Sequence, residues 1–215
     1  MLRREREREL VAATRALFDE RGMLDAPIEE IAKAAGIARG LIYRQFSSKD
    51  ELFVLTVTNY LDELDGVLCA ASTDGAPSAV LAARLQLFAT FCHRYPAFLD
   101  NVLSLMHRPA IELHDSVSEA IWLRLGQGMA TCIEPLVQVL AAGVEDGSFP
   151  AVTDPAFTAN LFWTQILGAM HLARIGVGVH QAAPGFPALF TVAADDVIAT
   201  CVASALATAG APPAG

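Results

Sequence analysis

The sequence predicts an all-α protein with a small amino-terminal unit followed by a larger helical one. Three observations carry this. Apolar residues recur three and four apart through most of the chain. Proline, glycine and short polar clusters interrupt those runs at helix-length intervals. No segment reads convincingly as a strand. At 215 residues, with 53% hydrophobic and 18% charged side chains, the composition is globular. It is also apolar enough to leave surface for an oligomer interface or a ligand cavity.

The first helix is expected from about Arg4 to Glu20, with Leu10, Ala13, Leu17 and Phe18 inward and the charges of Arg3 to Glu9 in solvent. Pro27 suits the first position of the next helix, leaving Asp25 as the nearby side-chain cap. Ile28, Ile31, Ala32 and Ala35 make one apolar stripe, and Gly36 supplies a residue able to take φ > 0 and end the helix in a tight turn. Ile37 plugs the angle, and Ile42 and Phe46 give a second short helix its buried stripe. Two short helices meeting this way form a helix-turn-helix, whose second helix enters the DNA major groove. At about 100° per residue, Gly40, Leu41, Tyr43 and Arg44 lie opposite the buried stripe, with Arg39 in the first turn.

Ser47 or Ser48 caps the following helix, which runs to about Ala70 with Asp50 and Glu51 placed well for its macrodipole. Ser72 to Ser78 is the clearest break. Helices are expected next at about 78–94, 96–107 and 116–145, stopped by Pro96, Pro109 and Gly147. Asp154-Pro155 starts another that reaches Ile175, residues 176–187 are expected as loop, and a last helix spans about Thr191 to Thr208. Pro155 to Ala173 has 19 residues without a formal charge, a length that could span a membrane. Thr158, Asn160, Thr164, Gln165 and His171 favour instead a helix buried on both sides. The domain division is therefore residues 1–48, 49–210 and a disordered tail at 211–215.

The stretch from Ala16-Leu17-Phe18 and Gly22 through Ile31-Ala32, Ala35-Gly36-Ile37, Gly40, Tyr43, Phe46 and Lys49 to Leu52 resembles the DNA-binding domain of the TetR family of bacterial transcriptional regulators. The resemblance implies a homodimeric regulator of double-stranded operator DNA, most simply a repressor released by a small-molecule inducer. Ala38, Arg39, Gly40, Leu41, Tyr43, Arg44 and Lys49 are the DNA-facing candidates, with Tyr43 and Lys49 at family positions that bind phosphate. The chain departs from the family at Ala38 and Leu41, where hydroxyl residues are usual, which removes two possible phosphate contacts. The alternative is a small-molecule-binding protein whose helix-turn-helix no longer binds specific DNA.

The resemblance also implies an inducer pocket in the larger domain. Its large apolar candidates are Phe88, Phe91, Met106, Trp122, Met129 and Trp163, and its polar ones Gln127 and His171. The acidic body favours a neutral or cationic ligand. On the last two helices, Leu161, Gly168 and Leu172 form one apolar face, and Ile198, Cys201, Val202 and Ala205 cluster on another. A monomer covers one side of such helices; two chains paired as a four-helix bundle cover both.

The formal charge of −9 and pI near 4.9 hide an asymmetry. Residues 1–49 hold ten Lys/Arg against eight Asp/Glu, a net of +2, and the remainder holds five against sixteen, a net of −11. A basic end on an acidic body suits DNA binding that is weak without sequence recognition and strongly salt-dependent. Cys69, Cys92, Cys132 and Cys201 lie far apart in apolar patterns and read as reduced core thiols; Cys92, beside His93 and Arg94, alone has neighbours suited to redox sensing. The five histidines make no metal-binding spacing, and no nucleophile elbow or phosphate-binding loop occurs. The expectation is a cytoplasmic non-enzyme without cofactor, metal or membrane contact.

Overall fold

The computed structural model describes residues 2–21 and 26–211, with side chains from Arg4 onward. Gly22, the expected Asp25 cap and the tail beyond Ala211 lie outside the described residues. The elements are α1 (Leu2–Arg21), α2 (Ile28–Ala34), α3 (Arg39–Gln45), α4 (Lys49–Cys69), α5 (Pro77–Arg94), α6 (Pro96–Met106), α7 (Ala110–Ser116), α8 (Glu119–Glu145) and α9 (Pro155–Ile175). A hairpin of β1 (Val177–Ala183) and β2 (Phe186–Thr191) follows, then α10 (Ala194–Ala209). The chain divides into two compact units, Met1–Asp65 with Tyr95–Ala130, and Gly66–Arg94 with Thr131–Gly215. The breaks fall inside α4 and α8, so the first unit is larger than residues 1–48.

Tyr60 gives the physical reason. It is fully buried in α4, its hydroxyl donates to Asp19 of α1 at 2.5 Å, and its ring lies 5.6 Å from Phe98 of α6. Arg15 of α1 stacks its guanidinium 4.2 Å from the same ring and pairs with Glu63 of α4. Most of α4 is thus bound into the unit that carries the helix-turn-helix. Gly128 of α8 belongs to the same unit and lies against Leu61, where an added Cβ would sit 3.3 Å from Leu61 Cδ1. Close approach to α4 accounts for that glycine.

The turn between α2 and α3 follows the sequence closely. Gly36 has φ +66°, Ile37 donates its N–H to the Ala32 carbonyl and Gly36 donates to Lys33. This is a Schellman closure, which needs a left-handed residue at that position. Pro27 stands one residue outside α2, with φ −56° and ψ 143°, rather than at its first helical position. Pro109 likewise precedes a helix: α7 starts after it, a short element in the stretch left between the expected helices at 96–107 and 116–145.

In the second unit α5, α9 and α10 pack on one another, with Leu81, Leu85, Phe88, Phe162, Trp163, Ile166 and Met170 buried among them. Asp154 caps α9 by accepting from the Phe157 N–H at 3.0 Å, and Gly176 ends it with φ +73°. Within the chain only one side of α9 is buried; Phe157, Leu161, Leu172 and Ile175 are exposed. No helix among the described residues is long and apolar enough to cross a membrane. Residues 176–187 are not a loop. Val177 pairs with Thr191, Val179 with Leu189 and His180 with Ala188, closing an antiparallel hairpin around Gly185. Alternating valines and a Pro-Gly turn were the signals for it.

Candidate nucleic-acid interface

The α3 helix is held by Ile42 and Phe46, both buried, and by the turn at Gly36. Its outer face follows geometrically. Ala38, Arg39, Gly40 and Arg44 are exposed, Tyr43 is 50% exposed, and Leu41 is half-buried. Ala38 stands at the N-cap with no side-chain hydrogen bond, which leaves the first amides of α3 to solvent or to a ligand anion.

Arg39 is positioned from two sides. Its Nη1 lies 2.5 Å from Glu29 of α2, its Nη2 3.5 Å from the Tyr43 hydroxyl, and its guanidinium 5.5 Å from the Tyr43 ring. The Tyr43 hydrogen bond and the Glu29 charge raise its pKa further, so it is a cation throughout the accessible pH range. The pair with Glu29 is fully in solvent and holds the side chain along the surface without burying it. Lys49, at the first turn of α4, is half-buried and places its ammonium 4.8 Å from the Phe53 ring centroid.

Glu51 fixes where α3 ends and α4 begins. One carboxylate oxygen accepts from the Ser47 N–H at 2.7 Å, and the other from the Ser118 N–H, just before α8, at 2.9 Å. The Glu51 amide in turn donates to Ser48 Oγ at 3.1 Å, while the Ser48 hydroxyl donates to the Ser116 carbonyl at 2.9 Å. Ser48 is therefore the cap, while Glu51 reaches back to the amide of Ser47, one residue before that cap, and serves a second helix as well. Burial pushes the Glu51 carboxyl up, but the amide hydrogen bonds from Ser47 and Ser118 outweigh it and hold the group below its usual range. Arg108 adds an ion pair to Asp50 at 3.0 Å. Beside these ties lies a cleft of about 620 Å³ lined by Tyr43 and Arg44 of α3, Arg4 and Glu7 of α1, and Arg124 of α8. Arg124 is bound to Glu7 at 2.6 Å.

The eight pocket candidates are divided between the two units. Phe88, Phe91, Trp163 and His171 belong to the second; Met106, Trp122, Gln127 and Met129 belong to the first. Phe88 and Trp163 stack at 4.0 Å with planes 16° apart, both buried. Trp122 is half-buried, edge-on to His114 at 5.3 Å, and Met106, Gln127 and His171 are exposed. Arg84 was missed. It is buried in α5 one turn before Phe88, and its Nη1 donates to the Pro135 carbonyl. A charge inside the apolar run Val80 to Phe88 was the signal. Among the candidate dimer residues, Leu161, Gly168 and Leu172 are exposed and Cys201 and Val202 half-buried. Ile198 and Ala205 are buried within the chain, where α10 packs on α5 and α9, and so present nothing to a partner. The exposed side of α10 instead carries Ala199, Ala203 and Ala207 beside Asp196, Thr200, Ser204 and Thr208. Cys92 is buried and its thiol pushed up by desolvation, which removes it as a redox sensor. Among the described residues no cluster of three or more His, Cys, Asp or Glu could hold a metal.

Residues 10–55 match the family model described as bacterial regulatory proteins, tetR family. The HTH-type transcriptional repressor KstR2 of Rhodococcus jostii is 31% identical over 149 residues, 69% of this chain and 70% of that protein. The crystal structure of RolR with the ligand resorcinol is similar at a TM-score of 0.65 and 17% identity, covering 99% of this chain and 97% of that one. AibR, solved with isovaleryl coenzyme A and operator DNA, is similar at 0.63 and 16%, covering 93% and 97%. The two structures share the fold of this chain.

Proposed function

The chain belongs to the TetR family of helix-turn-helix DNA-binding transcription regulators, and on that premise we propose that it acts as a homodimeric repressor released from its operator by a small molecule. The observation that carries this is the outer face of α3. Exposed Arg39, Gly40, Tyr43 and Arg44 stand on a helix anchored by Ile42 and Phe46, with Arg39 held at the helix start. Arg39 reads a guanine through its fork, and half-buried Leu41 touches a thymine methyl. Tyr43 and Lys49 hold the backbone, where no particular base is needed.

The dimer rests on the exposed apolar side of α9, Phe157, Leu161, Leu172 and Ile175, beside the small-residue side of α10. The hairpin extends that surface: Phe186 is 70% and Leu189 69% exposed. A two-stranded hairpin is marginal in water alone, and large apolar side chains left exposed in this number support an interaction site. A second chain provides both the cover and the second recognition helix.

Release requires a ligand that binds a wrongly spaced dimer better than the DNA-competent one; hundredfold release corresponds to about 2.7 kcal/mol of coupling. The ties of Glu51, Ser48 and Asp50 to the α6–α8 segment support coupled movement of α4 and α3. A gel shift with the DNA upstream of the protein's own gene tests the reading. A saturable complex that competes with itself but not with random duplex supports it. Equal affinity for both duplexes would favour a small-molecule-binding protein that has lost operator recognition.

A further inference from the structure

Two side-chain nitrogens are buried without a hydrogen-bond partner among the described residues, Arg84 Nε and Trp163 Nε1. Both are donors, both belong to the second unit, and Phe88 connects them. Arg84 and Phe88 are four apart on α5 and so share a face, and the Phe88 ring stacks on Trp163 of α9 at 4.0 Å. Arg84 is 7% exposed and Trp163 3%. Buried donors are almost always satisfied, and an orphan calls for a cause.

The chemistry of the missing acceptor can be read from Arg84. Its Nη1 is occupied by the Pro135 carbonyl, and it makes no ion pair with a described carboxylate. A buried guanidinium keeps its charge, because it cannot be deprotonated in a protein. What remains available is the Nε edge of a rigid planar fork, the geometry that takes a carboxylate. One cation balances one anion, so a dianionic phosphate would leave a buried charge unpaired. The neighbouring buried side chains are aromatic, which suits an apolar body, and Trp163 brings a second unpartnered N–H.

We propose that the Arg84–Phe88–Trp163 cluster binds the carboxylate of an apolar organic acid, and that this monoanion is the chemical class of the effector. The ligand is anionic although the surrounding body is acidic, since surface charges are screened over about 8 Å at physiological salt while Arg84 acts at contact. The effector role, but not the binding site, rests on the ligand-release reading above.

The test uses the full chain carrying Trp122→Phe, so that tryptophan emission reports Trp163 alone. The probes are 3-phenylpropionate and octanoate, each paired with its primary amide. Both acids should raise Tm and change the emission at millimolar concentration, at least tenfold more tightly than the amides. Arg84→Met should abolish the preference for acid over amide. It should also leave the ligand-free Tm unchanged or higher, because an unpaired buried charge has been replaced by an apolar chain. A lower ligand-free Tm would make Arg84 a structural residue and overturn the proposal; so would absence of binding, or equal binding of acids and amides. Arg84→Lys, which keeps the charge without the fork, should retain a weaker preference for the acids, and amide-like binding in that folded variant would count against the site. Adding operator DNA separates the two readings. Acids that bind but leave the complex intact refute the effector role and preserve the site. Release by the amides alone refutes the site and preserves ligand release.

Discussion

Arg39 and Lys49 show how different physical settings separate reading from holding. Arg39, the proposed base reader, stands with Glu29 at 2.5 Å, both more than half exposed. Such a pair contributes little to stability, but it leaves a carboxylate on the face proposed to meet the DNA phosphates. Glu29→Gln should therefore leave Tm nearly unchanged and tighten binding to random duplex, read by fluorescence anisotropy at several salt concentrations; weaker binding would mean that Glu29 is needed to aim Arg39. Lys49 is a point charge over Phe53 with no fork to present. Lys49→Ala should weaken all duplexes alike and reduce the slope of log affinity against log salt by about one. A changed base preference would contradict a backbone role.

At the scale of elements, the junction of α3 and α4 depends on one carboxylate serving two amides, Ser47 and Ser118. Because Glu51 is held below its usual pKa of 4.5, it stabilises the fold at pH above that value, and the stabilisation is lost as pH falls through the depressed folded value. Glu51→Gln should cost about 1–2 kcal/mol at neutral pH, and the gap from wild type should narrow in urea melts as pH falls below 4.5. A gap independent of pH would show that the charge is not what matters. The sequence made much of this architecture legible. Ile31, Ile42 and Phe46 at helical spacing gave the helix-turn-helix, and Asp154-Pro155 and Gly176 gave both ends of α9, since caps and stripes are local. The tie from Glu51 to Ser118 was not legible, because it joins residues 67 apart. The hairpin is hard to read because Gly176, Gly178, Pro184, Gly185 and Pro187 crowd its short strands and outweigh the alternating valines. Ile198 and Ala205 looked like interface because composition does not reveal which side of α10 meets α5.

For the whole molecule, the proposed operator binding depends on the proposed dimer. Two recognition helices must meet successive major grooves about 34–36 Å apart, which one chain cannot do. Leu161→Arg places a charge in the exposed apolar side of α9, and should give a folded monomer by sedimentation with operator affinity lost, although α3 is untouched. A wild-type chain that sediments as a monomer at micromolar concentration would end the dimer reading, and a dimeric Leu161→Arg variant would move the interface elsewhere. The most direct test of the central claim compares wild type and Arg39→Ala on the operator and on random duplex of equal length. The expected result is a loss of about 1–3 kcal/mol on the operator, relaxed preference at one base pair, and nearly unchanged specificity elsewhere. Equal weakening on both duplexes would reduce Arg39 to a phosphate contact and contradict the claim that the outer face of α3 reads sequence.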